Sequence, residues 1–220
     1  KRQGLSGPTM TLWHERWVTE QIGWHRPVYN DMMVKHWASI GAKPYGTVLV
    51  PLCGKSLDMV WLAERGHNVI GLEMVELAVE TFFRERSLTP EKATSQQHTT
   101  YRSGPYTVYQ GDALALEANT LQADAWYDRA AMIALPATAR DGYVQQLRDQ
   151  TSTGAVGLLI TYAYPQEEME GPPFSLPDEE VYRLFSDGFA VERLEKMQLE
   201  DERGRGLSAI SSTVFKIQRI

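Results

Sequence analysis

Gly54 and Glu73 are a glycine and an acid at the spacing that is typical of a nucleotide-binding site. Gly54 lies in the turn after the apolar run 47–51, and Glu73 follows the next apolar run, 68–72, about 20 residues later. In a doubly wound sheet, ligands bind at the carboxyl ends of the strands, and an acid at the position of Glu73 accepts hydrogen bonds from both hydroxyls of a ribose. This spacing predicts an adenosine-containing ligand.

The residues around Gly54 argue against a phosphate loop. The tripeptide Gly54-Lys55-Ser56 resembles the end of a P-loop, but that pattern needs a glycine where this chain has Leu49. The dinucleotide pattern G-x-G-x-x-G also fails, because Gly54 is the only glycine in the turn. A ribose acid without a phosphate loop favours S-adenosylmethionine. The alternatives are a glycine that only makes a tight turn and a glutamate that only lies at a strand end.

A second acid, Asp112, follows the apolar segment 106–110 in the turn Gly111-Asp112. In this topology the turn lies beside the adenine. The Asp112 carboxylate, or the backbone of Ala113, could accept a hydrogen bond from the adenine amino group. An aspartate that only stabilises its own turn is an equally good interpretation.

Alternating patterns predict an α/β fold, with a mostly parallel sheet that carries helices on both faces. Helices are predicted over residues 12–24, 32–40, 55–66, 75–86, 136–150 and 177–187. Strands are predicted over 47–51, 68–72, 106–110, 125–128, 155–162, 189–195 and 209–218, with the last two as an antiparallel pair. The polar stretch 87–103 is predicted to be a surface loop or a partly ordered insert.

Length and charge narrow the class of protein. The chain has 220 residues, enough for one domain with a sizeable core. Its 22 basic and 28 acidic residues give a net charge of −6, and the absence of a Lys/Arg-rich run disfavours a nucleic-acid or anionic-membrane partner. No apolar run is long enough to span a bilayer. The single cysteine, Cys53, fits a cytoplasmic location.

The chain is expected to form a single domain over residues 10–220, and nothing in it demands more than a monomer. Residues 1–9 are predicted to be a flexible extension or a remnant that precedes a native start at Met10. Cys53 is interpreted as a small packing residue. The five histidines show no metal-ligand spacing, so no metal is assigned.

Four longer segments resemble one family. They are WHERWVTEQIGWH (13–25), VPLCGKSLDMVWLAERGHNVIGLE (50–73), WYDRAAMIALP (126–136) and GPPFSLPDEEVYRLF (171–185). Together they are similar to the thiopurine S-methyltransferase family, a class I group of S-adenosylmethionine-dependent enzymes, and most of all to its bacterial branch. The resemblance extends from about Leu12 to the C-terminus. The stretch 87–103 is the least similar.

This resemblance implies a Rossmann-like sheet of seven strands with one antiparallel strand at the edge, and an N-terminal helical lid over residues 10–44. It implies transfer of a methyl group to the sulfur of thiopurines or other aromatic or heterocyclic thiols, a detoxification reaction. S-adenosylmethionine is the co-substrate and S-adenosylhomocysteine the product. No enzyme nucleophile is required. No general base is assigned, although Asp31 and His25 lie near the lid.

The resemblance also implies a set of site residues. Trp13, Trp17 and Trp24 would lie over the donor and the acceptor, and Trp17 would pack on the methionine end of the donor. Leu52 and Gly54 would border the donor through backbone groups, Glu73 would hold its ribose, and Asp112 and Ala113 would frame its adenine. Arg129, Arg203 and Phe174 would align the acceptor, and Arg129 would also contact the donor. An ordinary helix-packing stripe is the alternative for the tryptophans, and a solvated charge cluster is the alternative for Arg203.

Three other functions remain open on the sequence alone. A related methyltransferase could act on selenium, tellurium or oxygen nucleophiles. A nicotinamide-dependent oxidoreductase would use a similar sheet, but the missing glycine pattern argues against it. A non-catalytic sensor of an adenosine ligand would not need a lid rich in tryptophan that excludes water.

Overall fold

One mixed sheet of nine strands runs through the computed structural model, which describes residues 4–95 and 97–220. The strands are β1 (Thr47–Pro51), β2 (Asn68–Glu73), β3 (Glu91–Thr94), β4 (Thr99–Ser103), β5 (Tyr106–Gln110), β6 (Ala123–Asp128), β7 (Thr151–Ala163), β8 (Phe189–Leu199) and β9 (Ile210–Arg219). The helices are α1 (Gly7–Val18), α2 (Asp31–His36), α3 (Asp58–Glu64), α4 (Glu76–Glu85), α5 (Ala137–Gln150) and α6 (Asp178–Leu184), and short 3-10 helices cover Trp37–Ile40, Met132–Ala134 and Gln166–Glu168.

The strand order is β3-β4-β5-β2-β1-β6-β7-β9-β8. The five strands β5, β2, β1, β6 and β7 pair in parallel, and the pairings at both ends of the sheet are antiparallel. The predicted α/β class and the predicted antiparallel pair β8–β9 are therefore confirmed. Two details differ, because the sheet has nine strands rather than seven and the reversed strand β9 lies one position in from the edge strand β8.

The two additional strands come from the stretch 87–103, where a surface loop or a partly ordered insert was predicted and the structure has a strand pair instead. β3 and β4 pair antiparallel, with Glu91 opposite Arg102, and β4 continues the sheet from β5. Every residue of β3 is exposed, as is common at a sheet edge, where polar side chains meet water. The one large apolar side chain on β4, Tyr101, is buried and stacks on Phe83. A single anchor of this kind leaves too little alternation for a strand pattern.

Buried apolar side chains cover both faces of the sheet in two main clusters. One close approach shows how the centre is packed, because Gly157 on β7 pairs with Trp126 on β6. A Cβ atom at Gly157 would lie 2.0 Å from Trp126 Cε2. Only glycine leaves room for this fully buried ring. The ring lies two positions before Asp128, the buried last residue of β6, after which Arg129 begins the next loop.

Helix α1 begins at Gly7, within the segment that was predicted to be a flexible extension. The Ser6 side chain caps the helix by accepting from the Thr9 N–H at 3.2 Å. The helix ends at Val18 rather than near Trp24, so the last six residues of the prediction form an irregular turn. The predicted extension is thus partly helical, and residues 1–3 lie outside the described part of the chain.

The predicted lid over residues 10–44 divides into two parts. Helix α1 and the turn after it lie above the sheet edge, whereas Met33, Trp37 and Ile40 are buried in the core. Asp58 joins this second part to the sheet by accepting from the Asn30 N–H at 2.8 Å and from the Tyr127 hydroxyl at 2.7 Å. Only the first part is therefore placed to cover a ligand. Among the described residues, no helix combines the length and the apolar character needed to cross a bilayer.

Candidate active site

A cavity lies at the carboxyl ends of β1, β2 and β6, under α1 and the turn that follows it. This is where a parallel sheet with crossover helices presents its loops to a ligand. Residues from seven separate segments line it together, and the predicted site residues among them are Trp13, Trp17, Trp24, Leu52, Glu73, Arg129 and Arg203. The fold thus brings together side chains that are up to 190 positions apart in the chain (Trp13 to Arg203).

Glu73, the last residue of β2, lines this cavity although its side chain is 5% exposed. Its Oε1 accepts from the Gly54 N–H at 3.0 Å, and its Oε2 accepts from the Val75 N–H at 2.8 Å. Burial raises the pKa of Glu73 to about 7, and these backbone donors oppose the increase. The carboxylate is therefore held in one orientation, with lone pairs left for a ligand hydroxyl.

Gly54 is needed for the approach of the lid as well as for the turn. Its φ is +54°, in the left-handed region that glycine occupies without strain. A Cβ atom here would lie 3.2 Å from Trp17 Cζ2, which is tighter than ordinary contact. The lone glycine therefore allows the tryptophan lid to close onto the strand end, a role that differs from holding a pyrophosphate.

The three tryptophans of the lid form one aromatic group over the cavity. The Trp13 and Trp24 ring centroids are 5.3 Å apart and those of Trp17 and Trp24 are 6.1 Å apart, both in edge-to-face arrangements. Trp17 is buried. The Trp13 Nε1–H is also buried and has no hydrogen-bond partner among residues 4–95 and 97–220. An unpaired donor at a cavity wall fits a ligand with an acceptor group there, because an unsatisfied buried N–H is unfavourable.

Arg129 and Arg203 both bind the backbone of the lid. Arg129 Nη2 donates to the carbonyl oxygen of Trp24 at 2.9 Å, and Arg203 Nη2 donates to that of Gly23 at 2.8 Å. A Cβ atom at Gly23 would lie 3.2 Å from Arg203 Nη1, so the glycine permits this approach. Two loops, one after β6 and one between β8 and β9, thus hold consecutive residues of the lid. We call these two hydrogen bonds the lid latch.

Asp112 and Ala113 do not line the cavity. The Asp112 Oδ2 accepts from the Leu5 N–H at 2.8 Å, and its Oδ1 accepts from the Leu114 N–H at 2.9 Å. His98 Nε2 donates to the Asp112 carbonyl oxygen at 2.8 Å. The carboxylate therefore stabilises its own turn and also holds the backbone of Leu5, two residues before helix α1. The structure favours the turn interpretation over a hydrogen bond to adenine.

Phe174 is also absent from the cavity wall. Its ring packs back on Gly171, where a Cβ atom would lie 2.7 Å from the ring, and its N–H donates to the Ile133 carbonyl oxygen at 2.7 Å. Pro172 and Pro173 line the cavity instead. The loop that carries Phe174 thus reaches the cavity, but Phe174 is not one of its lining residues, because the direction of the ring depends on a turn that the sequence does not reveal.

Several lining residues were missed by the sequence analysis. They include the arginines Arg16, Arg26 and Arg205, the side chains Met74, Ile133 and Tyr162, and the two prolines. Tyr162 lies near the end of β7, so the rule that places ligands at the carboxyl ends of strands could have identified it. Arg205 is two residues after Arg203 in the same glycine-containing loop, a signal that was available.

A second cavity adjoins the first, because Arg129 and Tyr162 line both. His25 and Asp31 lie at its wall with Lys55. Burial lowers the pKa of His25, and the Lys55 charge lowers it further. Neither His25 nor Asp31 is thereby assigned a catalytic role. Within residues 4–95 and 97–220, no group of three His, Cys, Asp or Glu side chains could hold a metal ion.

Cys53 should be unreactive in the folded protein. The thiol is buried, and burial together with the nearby Glu73 charge raises its pKa well above the ordinary value. We expect dithiobis-nitrobenzoate at pH 8 to modify no thiol in the native protein and the single thiol after unfolding in guanidinium. Rapid native labelling would contradict its interpretation as a packing residue.

Solved methyltransferase structures share this fold. An S-adenosylmethionine-dependent methyltransferase from Anabaena variabilis aligns with a TM-score of 0.66 and 13% identity, over 99% of this chain and 98% of that one. A Burkholderia thailandensis 1,6-didemethyltoxoflavin-N1-methyltransferase, solved with S-adenosylhomocysteine, aligns with a TM-score of 0.64 and 13% identity, over 99% of this chain and 92% of that one. At these identities the likeness concerns the fold alone.

Sequence relatives are much closer. A thiopurine S-methyltransferase of Xanthomonas axonopodis pv. citri (strain 306) is 42% identical over 94% of this chain and 98% of its own length. One from Pseudomonas aeruginosa (strain LESB58) is 41% identical over the same shares. The family model described as Thiopurine S-methyltransferase (TPMT) matches residues 9–220, which include every lining residue discussed above. With the fold, the cavity and this match in agreement, the chain belongs to the thiopurine S-methyltransferase family.

Proposed function

We propose that this protein transfers the methyl group of S-adenosylmethionine to the sulfur of thiopurines or of other aromatic and heterocyclic thiols. The observation that carries the proposal is the buried Glu73 carboxylate, which accepts a hydrogen bond from the Gly54 N–H and lies at the wall of a cavity covered by three tryptophans. It supports a donor with a ribose and no phosphate. Family membership supports sulfur as the accepting atom.

The described residues fit such a donor at several points. Glu73 would accept from the ribose hydroxyls, and the unpaired Trp13 Nε1–H would donate to the carboxylate of the methionine part. Trp17 would pack its aromatic face toward the sulfonium, whose positive charge suits a ring. Leu52 and Gly54 would border the donor through their backbone. Gly54 does not line the cavity itself but contacts it through its hydrogen bond to Glu73. Asp112 and Ala113 have no such contact with a lining residue in the described part of the chain, so we leave them out of this set.

The chemistry asks little of the enzyme beyond alignment. The sulfonium donor supplies an activated methyl group, and aromatic thiols ionise readily. The protein therefore needs to hold the two sulfur atoms in line and to exclude water. The tryptophan lid, latched by Arg129 and Arg203, would do both. Tyr162, Pro172 and Pro173 would form the wall for the acceptor ring. The proposed mechanism therefore uses no enzyme nucleophile and no assigned general base.

We further propose that the protein is a cytoplasmic monomer that acts in detoxification on small molecules rather than on nucleic acid. The net charge of −6 disfavours binding to a polyanion. The cavity lies under a lid and is lined by seven segments of one chain, which supports a site complete within one subunit.

Incubation of the purified protein with labelled S-adenosylmethionine and matched thiol, selenol and catechol acceptors tests the proposal. We expect label on the sulfur of aromatic thiols, located by mass spectrometry, and none on catechol oxygen. Binding of S-adenosylhomocysteine by calorimetry serves as the control for a correctly folded donor site. Donor binding with no methylated thiol would contradict the proposal. Methyl transfer to the selenol alone would show that selenium, and not sulfur, is the accepting atom.

A further inference from the structure

Arg205 presents a guanidinium group to the active-site cavity without a partner. It is half-buried, its Nε–H is buried without a hydrogen bond, and no carboxylate lies within 4.0 Å of its guanidinium in the described part of the chain. An unpaired buried donor of a charged group is costly, and this one belongs to a residue that lines the cavity, where a ligand can supply the missing acceptor.

Two acids, one in the loop that carries Arg205 and one in the 3-10 helix Gln166–Glu168, hold the backbone of this loop. Asp201 Oδ1 accepts from the Arg205 N–H and its Oδ2 accepts from the Leu207 N–H, both at 3.0 Å. Glu168 accepts from the Ser208 N–H at 3.0 Å and from its hydroxyl at 2.8 Å. These carboxylates therefore hold the backbone of the loop, and Asp201 only adds a nearby charge to Arg205.

Each of the other arginines at the cavity either contacts another group of the protein or is exposed to water. Arg129 and Arg203 form the lid latch, and Arg16 lies over the Trp13 ring at 5.5 Å. Arg26 is exposed to water. Arg205 is thus the cation at this wall that is both partly desolvated and free of a protein partner among the described residues. In such a setting a guanidinium binds a planar anion strongly, through paired N–H donors.

The wall beside Arg205 is ordered by packing. Leu207 and Tyr164 are buried in one small cluster, and the Tyr164 hydroxyl donates to the Pro173 carbonyl oxygen. Pro172 and Pro173 line the cavity together with Arg205. The loop that carries the guanidinium is therefore joined to the wall proposed for the acceptor ring.

We infer that Arg205 binds an anionic group, a carboxylate, on the acceptor and so selects carboxylated aromatic thiols over neutral ones. This inference rests on the proposed function. Arg205 acts on the part of the acceptor that does not react. Its loss should therefore change the KM for anionic acceptors and leave kcat nearly unchanged.

The test compares 4-mercaptobenzoate with its methyl ester, which has the same ring and thiol but no charge. We expect Arg205→Met to raise the KM for the acid by about 10- to 100-fold, as for the loss of a charged hydrogen bond, and to change the KM for the ester by less than about twofold. Arg205→Lys keeps the charge but loses the paired N–H donors of the guanidinium. Its KM for the acid should therefore lie between the values for the wild type and for Arg205→Met. Arg102→Met, an exposed arginine on β4, is the control for an equal change in net charge.

An equal change in KM for acid and ester, or no change for either, would overturn the inference. So would a decrease in kcat for the ester, since that would indicate a disturbed site. Affinity for S-adenosylhomocysteine, measured by calorimetry on each variant, shows whether the donor site is intact. If the wild-type protein methylates neither thiol, it is the proposed function that fails. If it methylates both without a difference that depends on Arg205, only this inference fails.

Discussion

Replacing Glu73 with alanine should weaken binding of S-adenosylhomocysteine by about 10- to 100-fold, because it removes the charged acceptor for two ribose hydroxyls in a buried setting. Glu73 is 5% exposed, and two backbone N–H groups fix its carboxylate. A water molecule in the space left by alanine would not offer the ribose the same fixed, charged acceptor. Isothermal titration calorimetry at pH 8 measures the change. Glu76→Ala, an exposed acid at the start of α4, removes the same charge nearby and should leave the affinity unaltered. Equal affinity for wild type and Glu73→Ala would remove the ribose assignment.

The same carboxylate should make donor binding depend on pH near neutrality. Burial raises the pKa of Glu73 to about 7, so the side chain is mostly protonated at pH 6 and mostly ionised at pH 8. Only the ionised form accepts from both hydroxyls. Affinity should therefore be highest above pH 7 and should decrease by at most about tenfold per pH unit below it, with proton release on binding. The slope should be lost in Glu73→Ala. A flat wild-type profile between pH 6 and 8 would contradict this prediction.

Removing the lid latch with Arg129→Met and Arg203→Met together should lower kcat/KM by about 100-fold or more, since each guanidinium donates a charged hydrogen bond to the lid. The two carbonyl oxygens belong to adjacent residues, Gly23 and Trp24. Their release would free Trp24 from its contacts with Trp13 and Trp17 and admit water. Steady-state kinetics with an uncharged thiol measures the effect, and Arg102→Met serves as the control for charge.

Hydrogen exchange of the lid distinguishes a latch from a role in substrate binding. Residues 20–26 should exchange faster in either single variant. The single effects on kcat/KM should add to more than the double effect, because the first release already opens the segment that the second arginine holds. Unchanged exchange in both single variants would show that the guanidinium groups act on the acceptor alone.

The centre of the fold could be predicted from local patterns. β1 and β5 have the predicted bounds, because buried parallel strands form short apolar runs between turn residues. Gly66, predicted to end α3, has φ +93°, as expected for a glycine just past a helix. The hairpin β3–β4 could not be predicted, since its stability comes from pairing with β5 and from one buried tyrosine rather than from its own alternation.

For the site, too, local patterns predicted the positions of residues but not the directions of their side chains. The positions of Glu73 and Gly54 at the sheet edge could be predicted, because a strand end and a turn fix where a residue lies. Side-chain direction was beyond the sequence, so Phe174 was placed in a wall that Pro172 and Pro173 occupy. Asp112 was placed at the donor although its carboxylate binds the Leu5 and Leu114 N–H groups.

By itself, then, the sequence determined the class of sheet, and it placed the acid that we propose holds a ribose at the carboxyl edge of that sheet. These depend on patterns within about 20 residues of each other. The tertiary structure alone decided which arginines bind the lid, that Arg205 lines the cavity with no partner for its Nε–H among the described residues, and that Gly54 makes room for Trp17. Each of those facts is a contact between segments distant in the chain, and only close packing determines which distant groups meet.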